Sequence, residues 1–227
     1  MAELMGKEIR CVAFDFGGVL AYFITRETVE KMAKLAQVPY EEFNRSIWAY
    51  RYELDLGEHP YHQYWGNVLR GCSSPVPLEK IEKELTHLDV TGFSRMNQKM
   101  LNWVKNLQEN SYRTIIISNM SPETYQELVK EQPWLDSFDE AIISGLIKIN
   151  KPDPRIYEAA IRKAGVEPSQ ILFLDDVERN IEGAKKMGIR AHLFSDTDAL
   201  FAELEANYPT LPRQGLNDID LPTSKDI

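Results

Sequence analysis

With 227 residues, 43% of them hydrophobic, the chain can form one large domain, or a core domain that carries a smaller insert. Its net charge of −9 argues against binding to a nucleic-acid backbone as its main activity, because that needs a basic stripe. Two cysteines, Cys11 and Cys72, are too few for a disulfide framework, and Cys11 sits in an apolar strand, as in a reduced cytosolic protein. Residues 1–10 are charged, so no signal peptide is expected, and no run approaches the ~18 apolar residues of a membrane span. The expectation is a soluble cytoplasmic protein that binds neither nucleic acid nor membrane.

The first element is a short apolar strand that runs Cys11-Val12-Ala13-Phe14 into Asp15-Phe16-Gly17-Gly18-Val19-Leu20. The period then changes to a helical one. Thr25 reads as an N-cap, with Val29, Met32, Ala33, Leu35 and Ala36 at helical spacing. A second helix is predicted from Pro39, with Phe43, Ile47, Tyr50 and Leu54 on its apolar side, and Gly57-Glu58-His59-Pro60 ends it. Two more are predicted over 61–69 and 77–88. Between Ile24 and Gly92 there is no strand signal, so a block of helices is inserted after the first strand.

From Ser94 the pattern alternates. Met96, Met100, Trp103, Val104 and Leu107 mark a helix, and Thr114-Ile115-Ile116-Ile117 is a β-branched run of the kind buried on both faces. Ser121-Pro122 opens a helix with an N-cap and a first-position proline, and Asp153-Pro154 opens another, ending at Gly165. Further strands are predicted at 140–143, 171–174 and 191–194, with a helix over 178–188 closed by glycine. This order predicts an α/β fold, a Rossmann-like doubly wound parallel sheet with an inserted all-helical cap. The boundaries expected are 1–21 and 93–206 for the core and 22–92 for the cap. Residues 207–227, rich in proline, glycine and polar side chains, read as a loose tail.

Four sites fall at or just after the carboxyl ends of predicted strands, where open parallel sheets place their ligand crevice. Asp15 ends the first strand, and a carboxylate there is costly to bury without a cation or donors beside it, so it reads as the reacting group. Ser118-Asn119 follows the second strand; Ser121 already caps the next helix, which leaves the Ser118 hydroxyl for another task. Lys151, in Asn150-Lys151-Pro152-Asp153-Pro154, is not needed to start the helix that Asp153 caps. Asp175-Asp176 places two like charges together after a buried strand. A divalent cation relieves that, and Mg²⁺ takes one or two carboxylates together with phosphate and water.

These four motifs, in this order and in these structural contexts, resemble the haloacid dehalogenase superfamily of hydrolases, most of whose members are Mg²⁺-dependent phosphatases. The residues that carry the resemblance are Phe14-Asp15-Phe16-Gly17-Gly18-Val19, Ile117-Ser118-Asn119, Lys151-Pro152-Asp153-Pro154 and Phe173-Leu174-Asp175-Asp176, with Asn180 and Gly183-Ala184 after them. The helical block resembles the family's cap inserted between the first and second motifs, and the whole is similar to the branch of sugar-phosphate phosphatases and epoxide-hydrolase N-terminal domains. The resemblance implies that Asp15 attacks phosphorus to form an aspartyl-phosphate. It implies a Mg²⁺ held by Asp15, the Gly17 carbonyl, Asp176 and, directly or through water, Asp175. It implies that Ser118, Lys151 and the backbone of Gly17, Gly18 and Asn119 bind the phosphoryl group, with Asn180 in support. The expected substrate is a small phosphorylated metabolite, foremost a sugar phosphate, and the expected assembly a monomer or homodimer.

One position departs from the family pattern. Most of its phosphatases carry a second aspartate two residues after the nucleophile, as general acid and base, and here that position is Gly17. The expected ways round this are a good leaving group, a proton from a cap residue such as His62, or a binding protein without turnover. A 2-haloacid dehalogenase that uses Asp15 on carbon is the other enzyme reading. The cap gathers Trp48, Tyr50, Arg51, Tyr52, Tyr61, His62, Tyr64 and Trp65, which suit a sugar or another polar organic group.

Overall fold

The computed structural model describes residues 8–216. Five strands form one all-parallel sheet in the order β3-β2-β1-β4-β5, with β1 Cys11–Phe14, β2 Arg113–Ser118, β3 Glu140–Ile143, β4 Ile171–Asp175 and β5 Arg190–Leu193. The near-continuous apolar runs of β1, β2 and β4 are explained by burial on both sides of the sheet. One face packs Phe14, Ile116, Leu172 and Leu174 against α6 (Gln98–Glu109) and α11 (Thr197–Asn207). The other packs Ala13, Ile115, Ile117 and Phe173 against α9 (Pro154–Ala164) and α10 (Glu178–Lys186). Helices on both faces make the sheet doubly wound, and the strand order reverses at β1, which fixes the ligand crevice at its carboxyl end.

Between β1 and α6 lie α1 (Arg26–Leu35), α2 (Tyr40–Ala49), α3 (Arg51–Asp55), α4 (Tyr61–Gly71) and α5 (Leu78–Gly92). They bury an apolar cluster of their own, built on Met32, Phe43, Leu54, Tyr64, Trp65, Val68 and Leu85. The predicted caps are present, since Thr25, Ser121 and Asp153 each accept from a backbone N–H in the first turn of their helix. The single helix expected from Pro39 to Leu54 is broken at Tyr50, whose φ of −108° and ψ of 8° leave the helical region.

The tail is also different from expectation over its described part. Leu211 and Leu216 are buried in the core cluster, Trp103 Nε1 donates to the Pro212 carbonyl at 2.7 Å, and the Tyr112 hydroxyl donates to Thr210 at 2.9 Å. Two leucines among prolines are enough to dock a segment that has no helical or strand period. Residues 217–227 lie outside the described residues.

Candidate active site

Register builds the site. Phe14 pairs with both Ile116 and Leu174, so Asp15 and Asp175 stand one step beyond, side by side, and the Asp15 N–H donates to the Leu174 carbonyl at 2.8 Å. Ser118 ends β2 two residues past Ile116. Lys151 arrives from the loop between α8 (Ser144–Ile147) and α9, and the side chain of Asn119 fixes its backbone. Asn119 Oδ1 accepts from the Lys151 N–H at 2.7 Å, and Nδ2 donates to the Lys151 carbonyl at 3.2 Å. The Asn119 side chain is thus a tie between two loops, while its backbone is the part expected to meet the phosphoryl group.

The Lys151 ammonium, 2% exposed, lies 2.8 Å from Asp15 Oδ2 and 2.7 Å from Asp175 Oδ2. Asp175 is fully enclosed; its Oδ1 accepts from the Val177 N–H at 2.9 Å, and Asn180 Nδ2 reaches both carboxylate oxygens at 3.0 and 3.1 Å. Its lone pairs are therefore taken by protein donors. Asp15 Oδ1 accepts from the Phe16 N–H at 2.7 Å. Asp176 is only half-buried, and its carboxyl lies against Gly18: a Cβ there would fall 2.5 Å from Asp176 Cγ, and φ at Gly18 is +81°. Glycine is needed at 18 for both reasons. At Gly17 a Cβ would meet only Phe23 and Phe93 ring atoms, at 3.5 and 3.9 Å.

Burial pushes the Asp15 carboxyl up to about 7, against the pull of Lys151 and with help from the Asp175 charge. Burial and then Asp175 raise Asp176 as well. For Lys151, burial works against the ammonium, but the Asp15 and Asp175 charges outweigh it and hold its pKa above the ordinary value. Oxygen atoms of Asp15, Asp175 and Asp176 all lie within 4.8 Å of one another, facing one ammonium. Three carboxylates with a single countercharge are a donor set suited to a hard divalent cation. Asp15 and Asp176 are its most available members, since Asp175 is already bonded.

Above the strands a cavity of about 290 Å³ opens. Asp15, Gly17, Ser118, Lys151 and Asp176 line it from the sheet side; Phe23, Trp48, Arg51, Tyr52, Asp55 and Phe93 line it from the helical side. Of the aromatic residues singled out in the sequence, Trp48 and Tyr52 reach this cavity, while Tyr64 and Trp65 are insert core and Tyr61 bonds to Asp89. His62 is not at the site. Its ring is two-thirds exposed and pairs with Glu82 at 2.9 Å, because Tyr61, Tyr64, Trp65 and Val68 occupy the buried stripe of α4 and leave position 62 outside.

Sequence reading missed a second ionic cluster on the insert. Arg51 Nη1 donates to both oxygens of the buried Asp89 at 2.8 and 3.0 Å, and Arg51 Nε to Asp55 Oδ1 at 3.2 Å. The Tyr61 hydroxyl donates to Asp89 Oδ2 at 2.7 Å and lies 2.8 Å from Thr124 Oγ1 on α7 (Pro122–Glu131), so the network crosses from insert to core. The signal was present in the spacing: Asp89 falls four residues after Leu85 and eight after Ile81, on the apolar stripe of α5.

A family model of haloacid dehalogenase-like hydrolases matches residues 9–188. The chain belongs to that family. Among its relatives are a phosphatase of Mycobacterium tuberculosis, 26% identical over 191 residues (82% of this chain, 87% of that protein), and the D-ribitol-5-phosphate phosphatase of Bacteroides thetaiotaomicron, 25% identical over 191 residues (79% and 89%). A solved structure of similar fold is a family enzyme of Bacteroides thetaiotaomicron in complex with magnesium and inorganic phosphate, with a TM-score of 0.68, 21% identity, and coverage of 85% of this chain and 99% of that one. Among the described residues, no helix is long and apolar enough to cross a membrane.

Proposed function

We propose that the protein is a Mg²⁺-dependent phosphatase of a small phosphorylated metabolite, with Asp15 as the covalent nucleophile. The observation that carries this reading is the buried Lys151 ammonium held between Asp15 and Asp175 beside Asp176, at the carboxyl edge of the sheet. The phosphatase relatives, and the magnesium and phosphate bound by the family enzyme of similar fold, support it. A 2-haloacid dehalogenase would leave the surplus of carboxylates facing a carboxylate substrate with no cation to offset it.

Asp15, the Gly17 carbonyl and Asp176 would hold the metal, with Asp175 joined through water. A cation bound there offsets the carboxylate surplus and the charge of the phosphoryl oxygens. In the first displacement Asp15 Oδ2 bonds to phosphorus as the bond to the substrate's alcohol oxygen breaks. In the second, water bonds to phosphorus, the Asp15–phosphorus bond breaks, and inorganic phosphate leaves with Asp15 restored. Lys151 is placed to move from the carboxylates to the transferring oxygens, and Ser118 with the Asn119 backbone lies on the cavity wall where those oxygens would sit. Asn180 holds Asp175, and so Lys151, in position. Helices α1–α5 serve as the cap, and the aromatic side chains Trp48, Tyr52 and Phe93 receive the organic part of the substrate, for which a sugar phosphate is the leading class.

A cytoplasmic location belongs to the same reading and is supported by Cys11 and Cys72, both buried free thiols. The test is a phosphate-release screen over a metabolite panel with Mg²⁺. Release should fall by at least about 10³-fold in Asp15→Asn and on chelation of the metal. Turnover that persists in either case rejects the reading.

A further inference from the structure

We propose that Asp55, carried by α3 of the helical insert, is the general acid and base that position 17 lacks. The proposal rests on the phosphatase reading above and adds a residue to it.

Position is the first ground. Asp55 lines the same cavity as Asp15, Ser118, Lys151 and Asp176, from the opposite wall. Although it belongs to the insert, its segment is tied to the core loop that leads to Lys151. Ser144 Oγ donates to the Asp55 carbonyl at 2.6 Å, Asn150 Nδ2 to the Tyr52 carbonyl at 3.0 Å, and Lys148 Nζ to the Gly57 carbonyl. The backbone that presents Asp55 and the backbone that presents the phosphate-binding lysine are therefore held as one piece. A proton-transfer group needs this fixed reach to the reacting atoms.

The second ground is charge. Two carboxylates, Asp55 and Asp89, share the Arg51 guanidinium. Asp89 receives two bonds from Arg51 Nη1 and a third from the Tyr61 hydroxyl, whereas Asp55 receives one longer bond, on Oδ1. Among the described residues nothing donates to Asp55 Oδ2. The less satisfied carboxyl is the one that takes the proton when two acids compete for one cation. The charged and titratable groups that face Asp55 are Arg51, Asp89 and Tyr64 from the insert and Lys151 from the core. Burial is the strongest influence, Arg51 opposes it and Asp89 adds to it, and together they lift the Asp55 carboxyl to about 7. Such a group serves both as acid and as base near neutral pH.

The steps balance. As the Asp15–phosphorus bond forms and the bond to the alcohol oxygen breaks, the Asp55 proton passes to that oxygen. The resulting Asp55 carboxylate then takes a proton from the water whose oxygen bonds to phosphorus, and the Asp15–phosphorus bond breaks.

The test is rapid mixing of Asp55→Asn with Mg²⁺ and either 4-nitrophenyl phosphate, whose leaving group needs no proton, or a simple alkyl phosphate. With the aryl ester we expect a burst of about one nitrophenol per enzyme at the wild-type rate, followed by steady turnover slowed about 10²-fold or more. With the alkyl ester the first turnover itself should be slowed by about 10²–10⁴-fold. Adding Gly17→Asp, where the extra Cβ meets only ordinary contacts, should restore alkyl turnover in the Asn variant. A purely structural role would lower burst and alkyl turnover in the same proportion, and that result overturns the proposal, as does unchanged alkyl turnover or failure of the Gly17→Asp rescue. Wild-type enzyme that releases phosphate from neither ester, or an Asp15→Asn variant that still turns over, would instead reject the underlying phosphatase reading.

Discussion

On the sheet side of the cavity, three carboxylates share one ammonium; on the insert side, two carboxylates share one guanidinium. Both clusters are buried and both carry surplus negative charge, yet they differ in what relieves it. Asp176 in the first cluster is only half-buried, lies against Gly18 and lines the cavity. In the second cluster the Arg51 guanidinium lies over the rings of Trp48, Tyr64 and Phe93 and is shared by two carboxylates, and Asp55 keeps an edge on the cavity, so a proton is the simplest relief. On the reading proposed above, these differences separate a site suited to a metal from one suited to a proton, although the residue types are nearly the same.

The largest effect that can break this comparison lies within the first cluster. In Asp175→Asn, Lys151 keeps only Asp15 as a partner, and the buried donors of Val177 and Asn180 lose a charged acceptor. Breaking a buried pair in this way costs about 3–5 kcal/mol. Asp176→Asn, in contrast, should change the metal-free Tm little and should abolish the rise in Tm on adding Mg²⁺. Thermal melts of both variants with and without Mg²⁺ decide the matter. Equal losses of metal-free stability would mean that Asp176 is as structural as Asp175.

A smaller effect tests the second cluster through pH. The Asp55 carboxyl, raised from 3.8 to about 7, keeps its proton in the folded state over a range where the unfolded chain has released it. The native state then binds more protons than the unfolded one, so stability falls as pH rises from about 4 to about 7. Asp55→Asn has no proton to lose. At 1.36 kcal/mol per unit, its stability relative to wild type should rise across that window by at most about 4 kcal/mol. Urea melts of both proteins in chelator at pH 4.5 and 8 measure this directly. Parallel curves would show Asp55 ionised throughout, and the two clusters would no longer differ in kind.

How much of this was legible in the sequence follows from how each cluster is assembled. Asp15 follows, and Ser118 and Asp175 end, strands whose apolar runs are unmistakable, and parallel pairing brings strand ends together, so the sheet-side cluster is legible in the sequence. Arg51, Asp89 and Tyr61 come from three different helices, and nothing local says that these helices meet. Periodicity still held unused information. The stripe of α4 rejects His62, and the stripe of α5 admits Asp89, where an acid on an apolar face demands a cation nearby. The break at Tyr50 was harder to see, because Phe43, Ile47, Tyr50 and Leu54 keep helical spacing across it. Leu211 and Leu216 are buried in the core cluster with no helical or strand period around them to announce it.

The smallest expected effect concerns the bridge between the two regions. Tyr61→Phe removes one hydroxyl that contacts both Asp89 Oδ2, at 2.7 Å, and Thr124 Oγ1, at 2.8 Å. Asp89 keeps its two bonds from Arg51, and Thr124 keeps Ser121 Oγ at 2.9 Å, so neither partner is left bare. The loss is therefore near the lower end for a buried hydrogen bond to a charged group, about 1–2 kcal/mol. Because Ser144, Lys148 and Asn150 still tie α3 to the core, Asp55 should stay in place and kcat should change by less than about 3-fold, well under the tenfold that 1.4 kcal/mol at the transition state would give. Urea melts together with steady-state kinetics check both halves. A large fall in kcat with a small fall in stability would show that the hydroxyl, and not the loop ties, sets the position of the insert's acid over the sheet.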